Sequence, residues 1–115
     1  MALKIKKVEK WAQKKNVSKL IKALATKELD VRKEVIKALG TIKDDNAMYS
    51  LIRLLEDPDD SIRATAVDAL GTMKNGRSME FVRKVCNSDS NEEIRGKAKL
   101  ALAAIRETTA VEEKH

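Results

Sequence analysis

LEDPDDSIRATAVDALGTM, residues Leu55 to Met73, repeats a line written thirty-one residues earlier as LATKELDVRKEVIKALGTI, Leu24 to Ile42. The correspondence runs position by position. Leu20, Ile21 and Leu24 fall on Leu51, Ile52 and Leu55, Val31-Arg32 falls on Ile62-Arg63, and ALGTIK (38–43) falls on ALGTMK (69–74). A third copy follows with one inserted residue in its turn, so that Val82 and Cys86 answer Leu51 and Leu55 while Ile94-Arg95 answers Ile62-Arg63. Working backwards, Ile5, Val8 and Trp11 take the places of Ile36, Leu39 and Ile42. Self-similarity at a fixed period of this length marks a repeat array, in which one unit cannot bury its apolar face alone and stacked copies can.

Each copy holds two helical periodicities separated by a polar turn. Ile62, Ala66, Ala69, Leu70 and Met73 follow the i, i+4, i+7 spacing of one apolar helix face. Before them, EDPDD carries a stop and a start together: Pro58 disfavours helix at Asp57, and Asp60 or Ser61 is placed to cap the next helix. Asn16, Asn46 and Ser78 are the expected caps of the first helices of their pairs. The reading is an all-α array: a leading helix over 2–15, then helix pairs over about 17–45, 46–76 and 77–107. These form one domain of residues 1–108, followed by a frayed tail over 109–115. Gly40 and Gly71 sit at one register inside helical pattern, where glycine costs about 1 kcal/mol against alanine. A neighbouring helix passing close by is the simplest reason to keep them.

Composition agrees and removes several function classes. Low Gly and Pro with abundant Ala, Leu, Lys and Glu favours helix. No apolar run is long enough to span a membrane, and lysines interrupt MALKIKKVEK where a secretory signal needs an unbroken apolar core. A single cysteine, Cys86, and a single histidine, His115, supply neither an internal disulfide nor a zinc site. The expectation is a cytoplasmic protein with no cofactor. The ends carry polar faces, Lys99 standing where Ile36 and Val67 stand in earlier copies, so a complete, monomeric small protein is expected.

The pattern D-x-x-(V/I)-R-x-x-A-x-x-A-L-G, here DDSIRATAVDALG at 59–71, resembles the HEAT repeat, in particular the short HEAT-like repeats first associated with phycobilisome (bilin) lyases. The third copy departs, with the longer turn NSDSNEE and Ala103 where glycine is usual. The resemblance covers nearly the whole chain and implies an α-α superhelix, a short right-handed α-solenoid whose second helices line the concave face. It also implies a binding role, since members mostly hold other macromolecules. The concave row would then be Lys33, Glu34 and Lys37, Thr65, Asp68 and Thr72, and Lys97 and Leu100, a mixed surface suited to a protein or peptide. The iron ligands of HEAT-type hydroxylases, paired His and Glu, are missing.

Three features invite chemistry. Arg32, Arg63 and Arg95 recur at one register, either as guanidinium groups gripping an acidic or phosphate ligand or as a structural ladder. The resemblance favours the ladder, with Asp30, Asp59 or Asp60 as the acids. The cluster Glu56, Asp57, Asp59 and Asp60 lacks the ligand spacing of a cation loop and reads as capping and dipole compensation. Cys86 takes the register of Leu24 and Leu55 and reads as a small buried hydrophobe. The net charge of +6 belongs to one end: residues 1–27 hold nine lysines against Glu9, for +8, and the other 88 residues sum to −2. Lys4, Lys6, Lys7, Lys10, Lys14 and Lys15 form the densest part of this patch. It suits a solubilising cap or an acidic protein better than nucleic acid, because arginine and stacking aromatics are scarce there, and an anionic membrane surface comes third. The leading reading is a non-enzymatic protein-binding adaptor, with nucleic-acid binding through the lysine-rich helices, or a helper related to bilin lyases, as alternatives.

Overall fold

The computed structural model describes the backbone of residues 2–113 and the side chains of residues 4–107. Seven α-helices follow one another among these residues: α1 (Ala2–Gln13), α2 (Val17–Ala23), α3 (Leu29–Gly40), α4 (Asp45–Arg53), α5 (Asp60–Met73), α6 (Met79–Ser88) and α7 (Glu92–Glu113). Helix α7 covers 109–113 of the expected tail, and residues 114–115, with His115, lie outside the described residues.

Polar side chains set most of the helix starts. Asn16 Oδ1 accepts from the Lys19 amide at 3.2 Å, as expected. Elsewhere the cap falls earlier than the sequence suggested. Asp44, not Asn46, accepts from the Ala47 amide at 3.0 Å, and Asp59, not Asp60 or Ser61, accepts from the amides of Ser61 and Ile62. Asn75 caps a 3-10 turn (Gly76–Ser78) that leads into α6, and the Ser78 hydroxyl donates to the Asn75 carbonyl instead of capping. The inserted residue of the third copy is absorbed at a helix end. After α4 the chain closes with a 3-10 turn (Leu54–Glu56), whereas α6 stays α-helical through Ser88. A 3-10 turn uses fewer residues, so the longer copy keeps the α turn and still delivers Asp89 to the place Asp57 holds.

Short turns fold each pair back on itself, and the pairs stack. Helices α1, α3, α5 and α7 pack in series as one layer; α2 packs on α3 and α4, α4 on α5, and α6 on α7 in the other. The molecule measures 42 × 36 × 17 Å, the thin dimension being two helix layers. The core between them is aliphatic, with Leu20, Val35, Ile36, Leu39, Leu51, Ile62, Leu70, Val82 and Ile105 fully buried. The glycine register has the expected cause. A Cβ on Gly40 would lie 2.9 Å from the Ala69 Cβ and 3.0 Å from its backbone, and one on Gly71 would lie 3.1 Å from the Ala101 Cβ. Only a bare backbone lets α3 reach α5, and α5 reach α7, this closely. At the open end Lys99 and Ala103 are exposed.

Candidate functional site

The arginines bond across repeats. Arg32 Nη2 donates to Asp57 at 3.0 Å in the turn of the next unit. Arg63 repeats the move one unit on, its Nε donating to Asp89 Oδ2 at 3.0 Å and its Nη2 to Oδ1 at 3.2 Å. Arg63 and Arg95 hold their own turns: Arg63 Nη1 donates to the Asp57 carbonyl at 3.0 Å, and Arg95 Nη1 to the homologous Asp89 carbonyl at 2.6 Å. Of the acids named from the sequence, Asp60 meets Arg63 at 2.5 Å. Asp59 is spent on its cap, and Asp30 is exposed in the first turn of α3, so the acids facing the ladder are chiefly Asp57 and Asp89. Asp57 and Asp89 were not among the acids that the resemblance implied, because stacking, not chain distance, brings the next turn under each arginine. Hydrogen bonds from Arg63 hold the Asp89 carboxyl below the usual carboxylate range, and Asp89 in turn raises Arg63. The Ser61 hydroxyl and amide hold Asp59 low. Three acids of the cluster, Asp57, Asp59 and Asp60, are thus engaged in pairing and capping, and among the described residues no group of three His, Cys, Asp or Glu is placed to hold a metal.

The second-helix row is largely satisfied within itself. Lys97 pairs with Asp68 at 3.1 Å and Lys37 with Glu34 at 3.5 Å. Thr65 and Thr72 donate back to the carbonyls of Ser61 and Asp68. Lys33, Thr65, Asp68 and Lys97 come together along one polar groove of about 340 Å³, while Glu34, Lys37, Thr72 and Leu100 lie outside it. Leu100 is 74% exposed, the barest large hydrophobic group described.

The opposite face is more apolar than the sequence reading anticipated. Between α4 and α6 lies a groove of about 540 Å³ walled by Ile52, Leu55, Phe81 and Val85, with Arg53, Glu56 and Lys84 at its rim. A second groove, between α2 and α4, is lined by Val17, Ile21, Tyr49 and Ser50, and Arg53 borders both. Phe81 is 47% and Tyr49 45% exposed. Two of the three aromatic residues of this chain therefore sit on one outer face. The repeat register contained the signal: Phe81 stands where earlier copies have Lys19 and Ser50, and Tyr49 stands where its counterparts are Ser18 and Glu80. The counterparts of Tyr49, Ser18 and Glu80, are both exposed; of the counterparts of Phe81, Lys19 is exposed and Ser50 is buried.

The lysines of the basic end, Lys4, Lys6, Lys7, Lys10, Lys14 and Lys15, are all exposed on α1 and the turn after it. Lys4 reaches Glu28 at 2.5 Å and holds that carboxyl low. Cys86 is a half-buried free thiol packed against the core. No helix among the described residues is long and apolar enough to cross a membrane.

Helix pairs in two layers, tied turn to turn by arginines and brought close at glycines, define an α-solenoid of stacked repeats. The chain belongs to the HEAT repeat family: the family model for HEAT repeats matches residues 2–63 and again 48–113. HEAT repeats are commonly protein-interaction scaffolds and generally non-catalytic. The match is to HEAT repeats at large and does not single out the bilin-lyase type. No relative among the curated proteins matches the chain.

Proposed function

We propose that the protein is a non-enzymatic adaptor that binds another protein through the outer face of its first helices, the groove between α4 and α6 taking an apolar anchor from the partner. The observation that carries this is Phe81, half exposed beside Ile52, Leu55 and Val85 in a chain with almost no other aromatic side chains. Tyr49 and Arg53 stand beside it on the same face. Aromatic and arginine side chains at the edge of an apolar groove are the kind that concentrate binding energy. The concave row expected from the resemblance supports the reading less well. Four of its charges form two ion pairs and its hydroxyls bond their own helix backbone, so a partner there must compete with those bonds. For a non-enzymatic role, the support is that the groups with displaced acidity, Glu28, Asp59, Arg63 and Asp89, are each held in a structural bond.

Affinity capture from the source cells, with nuclease present, tests the proposal. Wild type, Phe81→Ser and Leu100→Ser are compared, with folding of each checked by circular dichroism. The expected result is a partner lost with Phe81→Ser, whose truncation should weaken binding by about 30-fold or more, and retained with Leu100→Ser. The reverse pattern moves the site to the second helices. Capture that nuclease abolishes removes the protein-binding reading.

A further inference from the structure

We propose that the lysine-rich end of the stack binds an acidic polypeptide segment, which inserts one apolar side chain into a crevice beside Trp11. The surface is distinct from the α4–α6 groove, so this inference stands or falls separately from the adaptor site above.

The first observation is electrostatic. Helices α3, α4, α5, α6 and α7 each carry an acid in the first turn, respectively Asp30, Asp45, Asp60, Glu80 and the pair Glu92 and Glu93. Helices α1 and α2 carry none. Lys4, Lys6 and Lys7 instead crowd the positive end of the α1 dipole, and Lys6, Lys10 and Lys14 repel one another at i, i+4 spacing. Lys4 alone of the nine lysines in residues 1–27 has an ion pair among the described residues. The arrangement works against the isolated fold and is relieved by an anionic partner.

The second observation is the shape of the site. A crevice of about 330 Å³ opens between α1, α2 and α3, floored by Val8, Trp11, Ala23 and Val31, with Lys4, Lys7 and Lys22 at its mouth. It is roomy enough for one large apolar side chain, with carboxylates on either side of it meeting the lysines. A phosphate backbone has no use for an apolar floor, and stacking a run of bases needs aromatic faces in series, where here there is one half-buried indole. Lipid insertion needs apolar groups that project outward, and these are recessed. The chemistry therefore fits an acidic peptide with an apolar anchor.

Trp11 is the sole tryptophan, so its emission reports the site directly. The probe is a short polyglutamate peptide with one central phenylalanine, titrated into the full chain. The comparisons are the same peptide without phenylalanine, oligothymidylate, and vesicles containing phosphatidylserine. A saturable blue shift with the phenylalanine peptide is expected. Removing the phenylalanine should weaken binding about tenfold or more, as should the double variant Lys7→Gln, Lys22→Gln, whose helix content stays that of wild type. Phe81→Ser should bind the peptide unchanged. The proposal is overturned if the peptide gives no saturable shift, if it binds equally well without its phenylalanine, or if oligothymidylate or the vesicles bind more tightly.

Discussion

Arg63 and Asp89 join the second repeat to the third through two parallel contacts, Nε to Oδ2 at 3.0 Å and Nη2 to Oδ1 at 3.2 Å, with side chains only 11% and 6% exposed. Bidentate, shielded pairs of this kind are among the stronger polar interactions, but Arg63 also meets Asp60, so losing Asp89 leaves it one carboxylate. Asp89→Asn should therefore cost about 1.5–3 kcal/mol by chemical denaturation, short of the cost of a fully orphaned charge. Asp57→Asn should cost less, because Arg32 reaches Asp57 through one nitrogen and both side chains are more exposed. The pair also sets a pH dependence. The folded Asp89 carboxyl is more acidic than in the unfolded chain, so its contribution is complete above the ordinary aspartate pKa of about 4. That contribution is lost as pH falls through the lower folded value. Stability of wild type should thus drop more steeply with acid than that of Asp89→Asn.

Three glycines within helices should respond differently to alanine. At Gly96 a Cβ meets nothing within 4 Å, so Gly96→Ala should gain about 0.5–1 kcal/mol from helix propensity. At Gly40 the new carbon would press on the Ala69 backbone, and overpacking of about 1–3 kcal/mol should outweigh that gain. Gly71→Ala meets Ala101 slightly farther off and should fall between them. Melting temperatures are expected in the order Gly96→Ala, wild type, Gly71→Ala, Gly40→Ala.

Lys74 ends α5 in the left-handed conformation, with φ of 55°, and its amide bonds the Leu70 carbonyl. A residue with a Cβ is disfavoured there by about 1 kcal/mol, so Lys74→Gly should stabilise the fold by about that amount. Lys74→Ala keeps the Cβ and should change little. Urea titration of the two variants separates the outcomes.

Electrostatic relief of α1 should be measurable without any ligand. Lys6→Glu converts repulsion from Lys10 into attraction but turns the i, i+3 attraction to Glu9 into repulsion. With the added acid near the helix start, the net gain should be about 0.5 kcal/mol at low salt. Raising the ionic strength should erase most of the difference between variant and wild type. A gain that persists in high salt would point to a cause other than charge.

Much of the fold was legible because repetition multiplies a weak signal. One amphipathic stripe is ambiguous, but Ile36, Val67 and their neighbours at matching registers identify a stacked face, and Gly40 with Gly71 identify where helices touch. Local chemistry was harder to read. Asp44 rather than Asn46 begins α4, since several polar residues in one turn all suit a cap and only the path of the backbone chooses.

The candidate site was least legible. Leu100 is apolar where its counterparts are Lys37 and Asp68, and it is exposed; Tyr49 and Phe81 also stand among polar counterparts and are exposed, although Ser50, at the register of Phe81, is buried. The groove beside Phe81 depends on the gap between α4 and α6, which no periodicity within either helix records.

The period, the helices, their buried faces and the concentration of lysines at one end follow from the order of amino acids, because each is a property of neighbouring residues or of spacing along the chain. The meetings of Arg32 with Asp57 and of Arg63 with Asp89, and the lysine-rimmed crevice floored by Trp11, arise on stacking. Those relationships join residues on different stacked elements, and their geometry is fixed by how closely the helices pack.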